Sequence, residues 1–166
     1  MEEENVSKSS RVKSSGKQIK YINDLQSKLN NSKSTKVVFD PYTELPDSAG
    51  SFYLKPVIVL APDFIKGFSP ICYNCNGILS SNGWVSNHRY VHGLKHGYYI
   101  LQKKFKCTNL NCSIQKCDAL SLFKNGALPY YVSCRYPIVA AGETVFHRDL
   151  AGNYYIFITT FTSFIT

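Results

Sequence analysis

The chain has 166 residues, of which 44% are hydrophobic and 18% charged, which suits one ordinary domain with flanking segments and excludes a wholly disordered chain. Lys and Arg outnumber Asp and Glu by 19 to 11, and the net charge of +8 favours polyanionic partners. The sequence has neither an apolar run near the ~20 residues of a transmembrane helix nor a secretory signal at its start, so we expect an intracellular protein with no membrane partner.

Residues 1–50 are predicted to be a basic tail and linker rich in serine and lysine. Residues 1–36 carry eight basic and four acidic residues and few large apolar ones, a composition typical of disordered segments. Such a tail would serve as a nuclear-import signal or as an arm that contacts phosphates, or it would only keep the chain soluble. The expected intracellular location therefore includes the nucleus as one option.

One short helix is predicted within this tail. Ser15 and Gln18 have the spacing of a capping box, which marks the start of a helix. Apolar residues then recur at roughly helical spacing, at Ile19, Ile22, Leu25 and Leu29. An isolated helix of this length is marginal in water, so it is stable only if it docks on the rest of the chain or on a protein partner.

Residues 51–140 are predicted to form the central domain. The apolar run Val57–Leu60 is typical of a buried strand. A β-hairpin follows, with Trp84–Val91 and Tyr98–Lys106 as its arms and the glycine-containing loop His92–Gly97 at its tip.

The end of the sequence is predicted to contain a short helix and a divergent strand-forming segment. Pro129 suits the first position of a helix that runs to Tyr136. Residues 141–166 form a β-prone C-terminal segment, and its last part, residues 154–166, carries no charge. Such a segment must pair within the fold or with a protein partner, or the chain is a truncated piece of something larger.

Two pairs of cysteines flank the predicted hairpin. Cys72 and Cys75 form a C-x2-C pair, and Cys107 and Cys112 form a C-x4-C pair. Because the hairpin returns the chain to its start, the pairs should converge, and four thiolates make a closed, tetrahedral Zn²⁺ site. Asn76-Gly77, directly after the first pair, allows the left-handed residue that lets backbone N–H groups point at sulfur. The elements together predict a small α+β fold, with a zinc-ribbon β-hairpin core, short helices and a disordered basic N-terminal tail.

Alternatives to this ligand set remain open. Cys117 could replace Cys112 as the fourth ligand, because a longer loop costs little extra closure entropy. Disulfides are less expected in a reducing compartment, and a redox C-x2-C pair needs a βαβ context that the sequence lacks. Cys134 is expected to be a small buried hydrophobe.

Three histidines recur every four residues, at His88, His92 and His96. On a helix this spacing would make a metal-binding face, but the glycines between and after them disfavour a helix. We expect these side chains to be polar surface groups or phosphate contacts.

The centre of the sequence carries charge of one sign. Between Asp63 and Asp118 there are seven basic residues and no acidic one. We predict that the hairpin binds DNA or RNA, with phosphate contacts from Arg89, Lys95, Lys103, Lys104 and Lys106. Unpaired bases could stack on aromatic residues that would otherwise pack in the core, namely Trp84, Tyr90, Tyr98 or Tyr99. The alternative function is a protein-interaction or purely structural zinc ribbon.

No enzymatic activity is predicted. The sequence contains no HExxH, GxSxG, P-loop or dinucleotide-binding pattern. The central stretch has no carboxylates to hold Mg²⁺, and Asp118, Glu143 and Asp149 are too loosely placed to form such a centre.

The spacing of several residues resembles a known family. The pattern consists of Pro70-x-Cys72-x2-Cys75, Gly83-Trp84, Arg89-x-Val91, Tyr98-Tyr99 and Phe105-x-Cys107, closed by a further cysteine. Over residues 52–140 it resembles an uncharacterised eukaryotic zinc-ribbon domain family, and it is similar to the N-terminal zinc ribbon of some insertion-sequence transposases. The likeness implies structural zinc, nucleic-acid binding by the ribbon and an origin in a mobile element. It implies no activity, because a transposase places catalysis in a separate domain.

Overall fold

The computed structural model describes residues 15–41, 54–141 and 144–150. Besides a short 3-10 helix (Pro62–Phe64) and a helical turn at 148–150, these residues contain three α-helices and eight strands. In chain order they are α1 (Gly16–Asn31), β1 (Val38–Phe39), β2 (Val57–Leu60), β3 (Leu79–Trp84), β4 (Arg89–Val91), β5 (Tyr98–Cys107), β6 (Lys116–Asp118), α2 (Ala119–Lys124), α3 (Tyr130–Ser133), β7 (Ile138–Ala141) and β8 (Thr144–His147). The predicted small α+β class is confirmed.

The ten-residue strand β5 is the centre of the larger sheet. Its first half pairs in parallel with β2 and antiparallel with β4, so Ile100 lies between Ile58 and Arg89. Its second half pairs antiparallel with β3 and β6, which flank Phe105 on opposite edges. The short strand β1 extends the sheet beyond β2, and β7 and β8 form a separate two-stranded sheet.

Helices cover both faces of the sheet because its central strands are apolar on both sides. Alternate residues of a strand point to opposite faces. On β2, Val57 and Val59 pack in a cluster with the apolar side of α1. Ile58 and Leu60 pack in a second cluster with the buried residues of α2, α3 and β7. Burial on both faces explains the uninterrupted apolar run, and the predicted strand is confirmed.

The helix α1 begins as the capping-box spacing predicts. The Ser15 hydroxyl accepts a hydrogen bond from the Gln18 backbone N–H at 3.2 Å. Three apolar residues one turn apart, Ile22, Leu25 and Leu29, are buried against the sheet. None of the helices among the described residues is both long and apolar enough to cross a membrane.

Polar contacts fasten both ends of α1 to the sheet. The buried Gln18 side chain donates to the Lys55 carbonyl at 3.1 Å and accepts from the Lys55 N–H at 2.7 Å. Near the other end, the Trp84 indole N–H donates to Asn30 Oδ1 at 2.8 Å. The segment that the sequence assigned to a tail therefore contains a docked helix, while residues 1–14 lie outside the described part of the chain.

The predicted hairpin is present, with a longer and interrupted first arm. That arm starts at Leu79, not at Trp84, and consists of β3 and β4 paired successively with β5. At the tip, Gly97 is required because a Cβ there would collide with the Tyr90 ring. The helix after Pro129 is shorter than predicted, since α3 ends at Ser133 and the proline is its N-cap. The predicted segment 154–166 lies outside the described residues.

Candidate metal centre

The first cysteine pair lies in a tight turn before β3. Two backbone hydrogen bonds close this turn, from the Cys72 N–H to the Gly77 carbonyl at 2.8 Å and from the Asn76 N–H to the Cys72 carbonyl at 2.9 Å. Asn76 has a φ of 56°, the left-handed conformation that its residue type predicts. At Gly77 a Cβ would lie 3.2 Å from the Cys75 sulfur. The glycine therefore leaves room for the thiol beside the turn.

The second pair is presented by the end of β5 and the turn that follows. The Cys112 N–H donates to the Asn109 carbonyl at 3.2 Å, which closes the turn. Gln115 then stabilises it from outside, because its amide donates to the Cys112 carbonyl at 2.6 Å. The backbone carbonyl of Gln115 in turn accepts a hydrogen bond from the Cys107 N–H at 3.0 Å. These contacts fix the backbone on either side of both thiols.

Direct contacts join the two turns and bring their sulfur atoms together. The N–H and the hydroxyl of Thr108 both donate to the Ile78 carbonyl, at 3.1 and 2.9 Å. One ligand atom from each cysteine lies within 4.8 Å of the other three, in a group formed by Cys72, Cys75, Cys107 and Cys112. The sulfurs of Cys72 and Cys112 lie 3.8 Å apart, and those of Cys75 and Cys107 lie 3.5 Å apart. Four sulfurs so placed can hold a metal ion, and they are the four that the sequence predicts.

The protein environment favours the thiolate at one of these positions. The Asn74 side-chain amide donates to the Cys112 sulfur at 3.4 Å and lowers the pKa of that thiol to about 7. Burial instead raises the pKa of Cys107 to about 12. Metals bind the thiolate. The Cys112 thiol would be partly ionised near neutral pH, whereas the Cys107 thiol would lose its proton to solvent only as an ion binds.

The two remaining cysteines lie outside this group. Cys117 is half-buried on β6, where it pairs with Phe105, and burial raises the pKa of its thiol to about 11. Cys134 is the half-buried C-cap of α3. The arrangement thus favours Cys112 over Cys117 as the fourth ligand.

The three regularly spaced histidines are not brought together. Within the described ranges, the four cysteines are the only group of three or more potential ligand side chains close enough to share an ion. His92 lies edge-on to Tyr90 with ring centroids 5.0 Å apart, and the His96 Nε2 shares a hydrogen bond with the Tyr98 hydroxyl at 3.1 Å. Burial lowers the pKa of His88.

Lys103 does not belong to the predicted phosphate-binding surface. Its side chain is only 7% exposed, with the ammonium 4.4 Å from the Trp84 ring centroid and 5.0 Å from that of Phe64. The ammonium also donates to the Ser81 hydroxyl at 3.4 Å. Burial lowers the pKa of Lys103, while the charge of Asp63 opposes that shift. Lys103 therefore stabilises the interior through cation–π contacts and is unavailable to a ligand.

The other predicted phosphate contacts fall into two separate places. Arg89 and Lys95 are exposed towards the tip of the hairpin, whereas Lys104 and Lys106 lie near the cysteine end of β5. Arg89 pairs with a residue six positions before Lys106 on that strand, a separation of about 20 Å at the rise of an extended chain. Lys116, which is not among the predicted phosphate contacts, lies directly opposite Lys106 on β6.

The aromatic residues predicted to stack on bases are part of the interior. Trp84, Tyr98 and Tyr99 are each less than 10% exposed. Tyr90 is half-buried and packs edge-on against Tyr99, with ring centroids 5.3 Å apart. Core packing, the alternative that the sequence left open, is the role the structure gives them.

Several residues that shape the centre carried no recognisable sequence signal. Asn74 and Gln115 are ordinary polar loop residues, and only their contacts with Cys112 show what they do. Gly77, by contrast, belongs to the Asn76-Gly77 turn that the sequence predicts after the first pair. Comparison with protein-family models, curated proteins and solved structures finds no match to this chain. The likeness to a zinc-ribbon family stays a prediction.

Proposed function

We propose that the four cysteines bind one Zn²⁺ ion in a closed structural site. The observation that carries the proposal is the spacing of the sulfur atoms. In a tetrahedron with Zn–S bonds of about 2.3 Å, the sulfurs lie about 3.8 Å apart. The separations of 3.8 and 3.5 Å lie close to this edge length, and all four sulfurs lie within 4.8 Å of one another.

A zinc ion at this position would fasten the far end of the sheet. Cys107 ends β5 and pairs with Leu79 at the start of β3, while the other ligands come from the adjoining turns. Three of the four cysteines are buried among the residues of the second core cluster. Because the ion would join segments distant in sequence, its binding free energy would contribute directly to folding.

The purified chain is expected to contain one zinc per molecule by elemental analysis, and to be colourless. Removal of the ion with a chelator should lower the melting temperature and reduce the strand signal in circular dichroism, because β3 and β5 lose their shared anchor. Restoring zinc should reverse both changes. A metal-free chain with the same melting curve, or an iron–sulfur chromophore, would contradict the proposal.

We infer further that the zinc-stabilised domain binds nucleic acid through the exposed end of β5 and β6. We call this surface the basic strip and define it as Lys104, Lys106 and Lys116. Lys106 and Lys116 are exposed and directly opposite each other, an arrangement of like charges that destabilises a sheet. A chain of phosphates on this face would relieve the repulsion.

The nearest carboxylate along these strands, that of Asp118, already accepts hydrogen bonds at the start of α2. Asp118 lies opposite Lys104, but its carboxylate caps α2 by accepting from the Ser121 N–H at 2.7 Å and hydroxyl at 2.8 Å. Phosphate contacts would therefore not have to displace a strong intramolecular ion pair at the strip. The proposal is also compatible with an origin in a mobile element. The cysteine spacing, which resembles that of transposase zinc ribbons, supports such an origin.

Replacing both Lys106 and Lys116 with Glu should weaken binding to DNA and RNA of any sequence. Each lost phosphate contact should reduce the slope of log K against log salt concentration by about 0.7–0.9. Fluorescence anisotropy at several salt concentrations measures both quantities. The matched control is Lys17→Glu with Lys20→Glu on α1, which changes the net charge equally at two other exposed positions. Equal losses in both variants would show only a general effect of charge.

A further inference from the structure

Two adjacent tyrosines are exposed on a helix that packs against the second core cluster. Tyr130 is 83% exposed and Tyr131 is 54% exposed, although both belong to the helix α3. A third aromatic side chain supports them, because Phe68 lies edge-on to Tyr131 with ring centroids 6.3 Å apart. We call Tyr130, Tyr131 and Phe68 the aromatic platform.

The helix that carries the two tyrosines is anchored in the core. Val132, the next residue of the helix, is completely buried in the core. Pro129 caps the helix, and its carbonyl accepts from the N–H groups of both Val132 and Ser133 at 2.9 Å. The exposed rings therefore extend from a short helix whose backbone is held by hydrogen bonds and by a buried neighbour.

The part of the sequence that contains the platform is predominantly basic. Residues 64–142 contain nine basic residues and a single acidic one, Asp118, which is engaged in capping α2. Two exposed cations, Lys66 and Arg135, lie within four positions of platform residues along the chain. Exposed aromatic rings with exposed cations a few residues away complement a ligand that combines flat apolar groups with negative charge.

We propose that the aromatic platform stacks on unpaired bases, so that the nucleic acid bound by this protein is single-stranded. The inference rests on the proposed function, since phosphate contacts along the basic strip supply most of the affinity. Bases in a duplex have their faces covered by their neighbours, whereas a single strand presents them to the rings. The platform would therefore favour single strands over duplexes, with little dependence on the base sequence.

The test compares two matched double variants of the full chain loaded with zinc. Tyr130→Leu with Tyr131→Leu removes the aromatic faces, whereas Tyr130→Phe with Tyr131→Phe keeps them and removes only the hydroxyls. The probes are a fluorescent oligothymidylate of about 12 nucleotides and a duplex of the same length. The leucine variant should bind the single strand about 5- to 150-fold more weakly for each base it no longer stacks. The phenylalanine variant should bind like the wild type, and neither variant should alter duplex binding.

Every other result contradicts one specific claim. If the leucine variant binds the single strand like the wild type while Lys106→Glu with Lys116→Glu weakens it, the platform is wrong and the proposed function stands. If the leucine variant loses single-strand and duplex binding equally, the preference for unpaired bases is wrong. If the wild type binds neither probe, the proposed nucleic-acid function fails, and the platform inference fails with it. Should the double variant lose zinc, Tyr130→Leu alone, at the more exposed position, carries the same test.

Discussion

Replacing Cys112 with serine is expected to abolish stoichiometric zinc binding, whereas replacing Cys117 with serine should leave one zinc per chain. The difference follows from position. The Cys112 sulfur lies 3.8 Å from that of Cys72 and within 4.8 Å of the other two in the group, whereas Cys117 lies outside the group. A hydroxyl is a much poorer zinc ligand than a thiolate, and three cysteines alone leave the coordination open.

Elemental analysis of the two purified variants measures the effect directly, and thermal melting reports its structural consequence. Cys112→Ser should melt at a lower temperature and respond little to a chelator, because it holds no ion to lose. Cys117→Ser should behave like the wild type in both measurements. The reverse pattern would make Cys117 the fourth ligand. Loss of zinc in both variants would contradict the assignment of Cys112 as a ligand and Cys117 as a residue that does not bind the ion.

The convergence of the cysteine pairs could be predicted from the sequence because a hairpin is a local device. Its two arms are close in sequence, and a strand pattern on either side of a glycine-containing loop fixes where the chain returns. The two cysteine pairs, one at each end of the hairpin, must therefore lie close together. The parallel pairing of β2 with β5 gave no such signal, because it joins segments about forty residues apart with no pattern that specifies the partner.

Lys103 shows why the basic surface was predicted less well than the cysteines. A lysine beside Lys104 in a basic strand resembles any solvated cation, and composition counts it with the rest. Its burial depends on Trp84 and Phe64, which are separated from it by about twenty and forty residues along the chain. An alternating strand pattern predicts which residues share a face, but it does not show what covers that face.

The helix α1 shows that the sequence can predict an element without predicting what it packs against. Its start and its apolar spacing were visible in the sequence, since capping and periodicity are local properties. Whether the helix docks was not visible, because that depends on the apolar face of Val57 and Val59 about 35 residues further on. Composition favoured a tail, and tertiary packing overrode it, as happens when a short amphipathic segment meets an uncovered sheet.

Replacing Ile22 with alanine is therefore expected to destabilise the protein by about 2–5 kcal/mol, the usual cost of truncating a buried isoleucine. Ile22 is completely buried between α1 and the sheet. The matched control is Ile19→Ala on the same helix, where the side chain is 41% exposed. That change should alter the free energy of unfolding by no more than about 0.5 kcal/mol.

Urea denaturation followed by tryptophan fluorescence measures this difference. The chain has one tryptophan, Trp84, whose indole N–H bonds Asn30 at the end of α1, so its emission reports on whether the helix is docked. Ile22→Ala should lower the midpoint of the transition, and Ile19→Ala should leave it nearly unchanged. Equal midpoints for the two variants and the wild type would mean that α1 contributes nothing to stability, and that residues 1–50 behave as the tail that their composition predicts.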